Sequence, residues 1–107
     1  MNNVELFVTT KNNLTSKRGK YEVCLINDES NSFDYVINAL QEVCGHSYIQ
    51  AGQCATITHN IGICSIFIDT YNECEDVFKE LLVIGMRAEL HKYKPISHDK
   101  GNKKTNN

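Results

Sequence analysis

Four side chains in this sequence could act on a ligand together: Asn27, Asp28 and Glu29, which follow directly on an apolar run, and His59, which stands three residues before Gly62. Carboxylates, an amide carbonyl and a neutral imidazole are hydrogen-bond acceptors. They suit an α-amino group, whose pKa of about 7.7–8.0 leaves it largely an ammonium with three donors at neutral pH. The same residues have a plainer reading. An Asn-Asp pair commonly makes a turn, and a histidine near a helix end commonly meets the helix dipole. Cys54 and Cys64 flank His59 at five residues on either side, so a thiol nucleophile with an imidazole base is a third possibility. No oxyanion donor or third orienting group accompanies that pair.

The elements that must position these residues follow from hydrophobic periodicity. Tyr21-Glu22-Val23-Cys24-Leu25-Ile26 alternates and is rich in β-formers, so it is expected as a strand, followed by a loop over 27–30. Asn31 is expected to cap a first helix with Asp34 three residues on, and Phe33, Val36, Ile37, Leu40, Val43 and Cys44 form an inward stripe that ends at Gly45. Ser47-Tyr48-Ile49-Gln50 is a capping box for a second helix running through Ala51, Cys54, Ala55 and Thr58 to about His59, and Gly62 stops it. A strand over 63–68 comes next. Asn72 is then expected to cap a third helix whose Cys74, Val77, Phe78, Leu81 and Leu82 face inward, and Gly85 ends it. Met86, Ala88 and Leu90 alternate as the last strand.

The order is β-α-α-β-α-β, an α+β fold in which a three-stranded sheet needs helices to cover one face. Should the first two helices pack as a hairpin, the 27–29 loop and the end of the second helix lie on the same side of the sheet. His59 would then approach Asn27.

With 107 residues the chain is long enough for one domain. Residues 1–20 and 95–107 are polar, rich in Asn, Lys and Thr, and are expected as disordered tails around a domain over 21–94. Eleven acids against two basic residues over 21–91 make the domain acidic, whereas both ends are basic. An acidic domain repels phosphate backbones, so nucleic acid is not an expected partner. Five cysteines stand ten or twenty residues apart without a C-x-x-C pair. They are expected as reduced, buried thiols, with neither a metal nor a cofactor. No apolar run is long enough to cross a bilayer and no secretory h-region is seen, so a cytoplasmic setting without a membrane partner is expected.

Two blocks carry a resemblance. Tyr21-Glu22-Val23-Cys24-Leu25-Ile26-Asn27-Asp28-Glu29, followed by Phe33-Asp34-Tyr35-Val36-Ile37-Asn38-Ala39-Leu40, resembles the signature of the ClpS family: a strand, N-D-D, then a helix opening with an M-E-F-V-type run. Thr56-Ile57-Thr58-His59-Asn60-Ile61-Gly62 resembles that family's helix-ending A-V-H-x-x-G. The resemblance implies an adaptor, not an enzyme, with a fold like the C-terminal domain of the ribosomal stalk protein. Such an adaptor grips the N-terminal residue of a substrate protein, the N-degron, and docks on the N-terminal domain of a Clp ATPase as a monomer. Carried over by position, Asn27 and His59 would accept from the amine, and Asp28 and Glu29 would add charge or water-mediated contacts. Asn31, Phe33, Ala55, Thr58 and Met86 would line the side-chain pocket.

Several positions depart from the family pattern. Ser30-Asn31-Ser32-Phe33 replaces Y-T-P-M, Glu29 replaces a second Asp, and Ala55 stands where many members carry Met. Glu73, Glu75 and Asp76 open the third helix where lysine is usually mixed in. A protein-interaction module on the same scaffold without N-degron binding is the alternative, since fold does not fix function.

Overall fold

The computed structural model describes residues 17–95. Its elements run β1 (Tyr21–Ile26), α1 (Phe33–Cys44), α2 (Tyr48–Ile61), β2 (Ile63–Asp69), α3 (Tyr71–Val83) and β3 (Arg87–Lys92), in the expected order. The segments expected as tails lie outside the described residues except at their inner ends. There Lys17 places its ammonium 3.8 Å from the centre of the Tyr71 ring, and the Lys20 carbonyl accepts from Tyr93 N–H at 2.9 Å.

β1 is the middle strand of an antiparallel sheet ordered β2-β1-β3. Its central place explains why Val23, Cys24 and Leu25 are all buried, whereas on the edge strand β3 the exposed Arg87, Glu89 and His91 alternate with partly buried Ala88 and Leu90. The register with β2 shifts between Val23 and Cys24, whose partners are Phe67 and Ser65, so Ile66 is an extra residue in a bulge. Ile66 joins the core together with Leu40, Val77 and Leu81. α2 contributes small buried residues, Ala51, Ala55 and Thr58.

The helix starts differ in two places from the expected ones. Ser32 caps α1, its hydroxyl accepting from Tyr35 N–H at 3.1 Å, because Ser32 has the extended backbone a cap requires and Asn31 is drawn into a long-range bond described below. Thr70 caps α3, accepting from Glu73 N–H at 3.4 Å, and Asn72 lies inside the helix. Ser47 caps α2 as expected, through Gln50 N–H at 3.1 Å. α2 runs two residues past His59 to Ile61, and Met86 precedes β3 in the turn, where it is buried.

Two expected inward residues face out. Leu82 is 47 % exposed and so is Phe33. Leu82 lies in the last turn of α3, where its neighbour Val83 is also exposed while Leu81 takes the core position. His46, just after α1, is a buried polar residue that periodicity passes over: its Nε2–H donates to the Ile66 carbonyl at 2.8 Å. This bond ties the α1–α2 connection to the bulge of β2.

Leu40 is fully buried and Leu82 is not. Leu40→Ala should therefore cost about 2–5 kcal/mol, and Leu82→Ala less than about 0.5 kcal/mol. Urea unfolding midpoints measure the difference, and comparable losses would mean that Leu82 packs in the core after all.

Candidate functional site

The convergence that a helix hairpin would allow is made by the β1–β2 ladder, in which Ile26 faces Ile63, and by one further bond. Asn27 N–H donates to the Gly62 carbonyl at 3.0 Å. Gly62 ends α2 with φ 104°, a left-handed backbone that glycine adopts without strain. Because His59 stands one turn earlier, this pairing brings the loop after β1 to the end of α2 that carries the imidazole.

Between them opens a cavity of about 310 Å³. The β1–α1 loop supplies Asn27, Asp28, Glu29 and Asn31, and α1 supplies Phe33 and Val36. Ala55, Thr58 and His59 come from α2, Met86 from the α3–β3 turn, Arg87 from the start of β3, and Leu25 and Ile26 from the end of β1. All nine residues singled out in the sequence thus line one cavity. Leu25, Ala55, Thr58 and Met86 are buried and form its largely apolar floor. Asp28, Glu29, Phe33 and His59 stand at its more open rim.

Hydrogen bonds divide the rim into committed and open acceptors. Asp28 Oδ1 accepts from Ser30 N–H at 3.0 Å and from the Ser30 hydroxyl at 2.8 Å, which is the turn that the plainer reading anticipates. These two bonds, the backbone one first, and the more distant Arg87 guanidinium hold the Asp28 carboxyl below its ordinary pKa. A group lowered in this way stays ionised through the neutral and mildly acid range, and the stability it contributes is lost only as pH falls through the lowered value. The Asn27 amide, the Glu29 carboxylate and the His59 imidazole make no side-chain hydrogen bond among the described residues. The Thr58 hydroxyl is turned back to the Cys54 carbonyl at 2.8 Å and presents no donor to the cavity.

Leu25, Ile26, Val36 and Arg87 were not anticipated at the site. Leu25 and Ile26 immediately precede the loop and Val36 lies one turn after Ser32, so each had a local signal. Arg87 had a weaker one, as one of two basic residues in the acidic 21–91 stretch. Its Nη1 donates to the Asn27 carbonyl at 3.4 Å. Two other bonds tie the same turn to the opposite wall: Asn31 Nδ2 to the Gly85 carbonyl at 3.3 Å and the Tyr35 hydroxyl to the Ile84 carbonyl at 2.6 Å. Met86, part of the floor, is thereby held against α1 and the loop.

Cys64 does not have the lowered pKa of an activated thiol. Burial, then the neighbouring Cys54 thiol, pushes the Cys64 thiol up to about 12, and the groups acting on it are Cys54, Cys24 and Thr58, not His59. Burial pushes Cys44 up to about 12 and Cys24 up to about 11. A nucleophilic thiol needs the opposite shift. Among the described residues no cluster of three or more His, Cys, Asp or Glu could hold a metal ion, and no helix is long and apolar enough to cross a membrane.

The family model of the ATP-dependent Clp protease adaptor protein ClpS matches residues 16–93. The chain belongs to the ClpS family. As a ClpS protein it is an adaptor of a Clp protease, and its three helices on a three-stranded antiparallel sheet are that family's fold. Among solved structures it is similar to ClpS2 of Agrobacterium tumefaciens bound to L-phenylalaninamide, with a TM-score of 0.66 and 19 % identity over 69 % of this chain and 96 % of that one. No curated protein matches the sequence.

Two outcomes are expected from this geometry. At about pH 8 Cys44 and Cys64 should alkylate at least about 100-fold more slowly in the native protein than in denaturant, followed by mass spectrometry of each site. Tyr35→Phe removes one hydroxyl from the tether to Ile84 and should cost about 1 kcal/mol or less in unfolding, with amide chemical-shift changes concentrated at 27–31 and 84–87. Changes spread evenly over the domain would show that the tether does not act locally.

Proposed function

We propose that the cavity binds the N-terminal residue of a substrate protein, so that this ClpS protein delivers N-degron substrates to the N-terminal domain of a Clp ATPase and performs no chemistry itself. The observation that carries this reading is the division of the cavity into an apolar floor and an anionic rim with uncommitted acceptors. A large apolar first side chain fits the floor of Leu25, Ala55, Thr58 and Met86. Asn27 and His59 then accept from the α-amino group, while the carboxylates of Asp28 and Glu29 supply the field that favours an ammonium there.

Both halves are needed. Burying a large apolar side chain contributes about 1.5–3 kcal/mol, and each charge-assisted hydrogen bond about 1.5–3 kcal/mol. Their sum reaches the vicinity of −8 kcal/mol, which is micromolar affinity. The L-phenylalaninamide bound by the Agrobacterium protein has the same two parts, an aromatic side chain and a free α-amine.

A Phe- or Leu-initiated peptide should bind, and its N-acetylated twin should bind at least about tenfold more weakly, a difference of about 1.4 kcal/mol or more. His59→Ala should weaken the free-amine peptide while leaving the melting temperature nearly unchanged, since His59 is exposed. Equal binding of the two peptides by fluorescence anisotropy would instead favour an interaction module without N-degron recognition.

Phe33 bears on which first residues enter. Its exposure of 47 % removes it from the core, and its ring forms part of the cavity wall. A rigid ring at the mouth narrows the space next to the substrate Cβ, so Ile- and Val-initiated peptides should be excluded. Phe33→Ala should admit them with little loss of thermal stability, and a large fall in melting temperature without new Ile or Val binding would assign Phe33 to the core.

A further inference from the structure

The outer face of the α1–α2 hairpin carries a second apolar concavity of about 550 Å³. Phe33, Ile37, Tyr48, Ile49, Gly52 and Ile57 line it, and no charged residue does. Tyr48 is 67 % exposed, Ile49 71 % and Ile57 41 %. Gly52 forms an opening in α2: a Cβ built there meets nothing within 4 Å. Phe33 lines both this groove and the cavity of the candidate site, so its ring is the partition between two adjoining hollows.

We propose that this groove is a subsite for an apolar side chain at the third residue of the substrate, the first residue occupying the cavity; the inference rests on the N-terminal-residue reading of that cavity. A protein held by its first residue must leave over the rim, and one side of that rim is Phe33. In an extended chain alternate side chains share a face and successive residues advance about 3.3 Å, so the first and third side chains point the same way about 7 Å apart. The two hollows adjoin, since Phe33 lines both. The second side chain points away from the protein. The lining, apolar apart from Gln53 and Thr56 and without a charge, favours an aliphatic or aromatic third residue over a charged one.

Binding of Phe-Ala-Ala, Phe-Leu-Ala and Phe-Ala-Leu peptides, each extended by the same polar tail, tests this by fluorescence anisotropy. Phe-Ala-Leu should bind about three- to tenfold more tightly than the other two. Gly52→Leu, which fills the groove from an unstrained helical position, and Ile49→Ser, which removes one wall, should each erase that gain while leaving Phe-Ala-Ala affinity and the melting temperature unchanged. Binding of Phe-Ala-Ala with no gain from the third-position Leu overturns the subsite and leaves the cavity reading standing. A gain at the second position overturns the alternation, and failure of all three peptides removes the cavity reading itself. Concentration-dependent dimerisation in sedimentation that Gly52→Leu abolishes would assign the groove to a second copy of the chain and overturn the proposal.

Discussion

The antiparallel pairing of β1 with β2, in which Ile26 faces Ile63, is carried one step further by the bond from Asn27 N–H to the Gly62 carbonyl at 3.0 Å, and the site is built around this pairing. On one side of this bond lies the loop that follows the central strand, and on the other the end of α2. A backbone bond joins them with more constancy than a side-chain contact, because it fixes the path of both chains and leaves the Asn27 amide free for another partner. Gly62 makes it possible by turning left-handed at φ 104°, which aims its carbonyl at the loop. Asp28, Glu29 and His59 reach one rim as a consequence.

The third wall is brought in by different means. Asn31, Tyr35 and Arg87 each bond a backbone carbonyl across the gap between the α1 side and the α3–β3 turn. The carbonyls they reach belong to Gly85, Ile84 and Asn27. Such tethers leave the middle of the turn free to point Met86 inward, where it is nearly fully buried. The site therefore rests on backbone carbonyls at its corners and on side-chain packing only at its floor. The two bonds from Ser30, with a smaller contribution from the more distant Arg87 guanidinium, lower the Asp28 pKa, and the same cation offsets part of the anionic field.

The cysteines show how a regular sequence pattern can arise without chemistry. Cys24, Cys44, Cys54, Cys64 and Cys74 fall one each on β1, α1, α2, β2 and α3. Three of them are buried and two partly buried, and all five are free thiols. On each of these five elements the thiol packs as a small apolar side chain. The raised thiol pKa values follow from the same burial.

The order of elements, the Ser47 cap and the left-handed stops at Gly45, Gly62 and Gly85 were all legible in the sequence, because each depends on residues within a few positions of one another. So were Asn27, Asp28, Glu29 and His59 as a set of acceptors, and the resemblance to ClpS added the pocket-lining residues. What the chain could not show locally was decided by contacts between distant residues. Asn31 gives up its expected cap because Gly85, 54 residues away, offers its side chain a carbonyl. Leu82 and Phe33 satisfy the helical period yet face solvent, since a helix end that no other element covers has nothing to bury against. His46 is buried because the bulge in β2 supplies a carbonyl for it. Periodicity reports which face of an element is apolar; only the packed structure determines how far that face is covered.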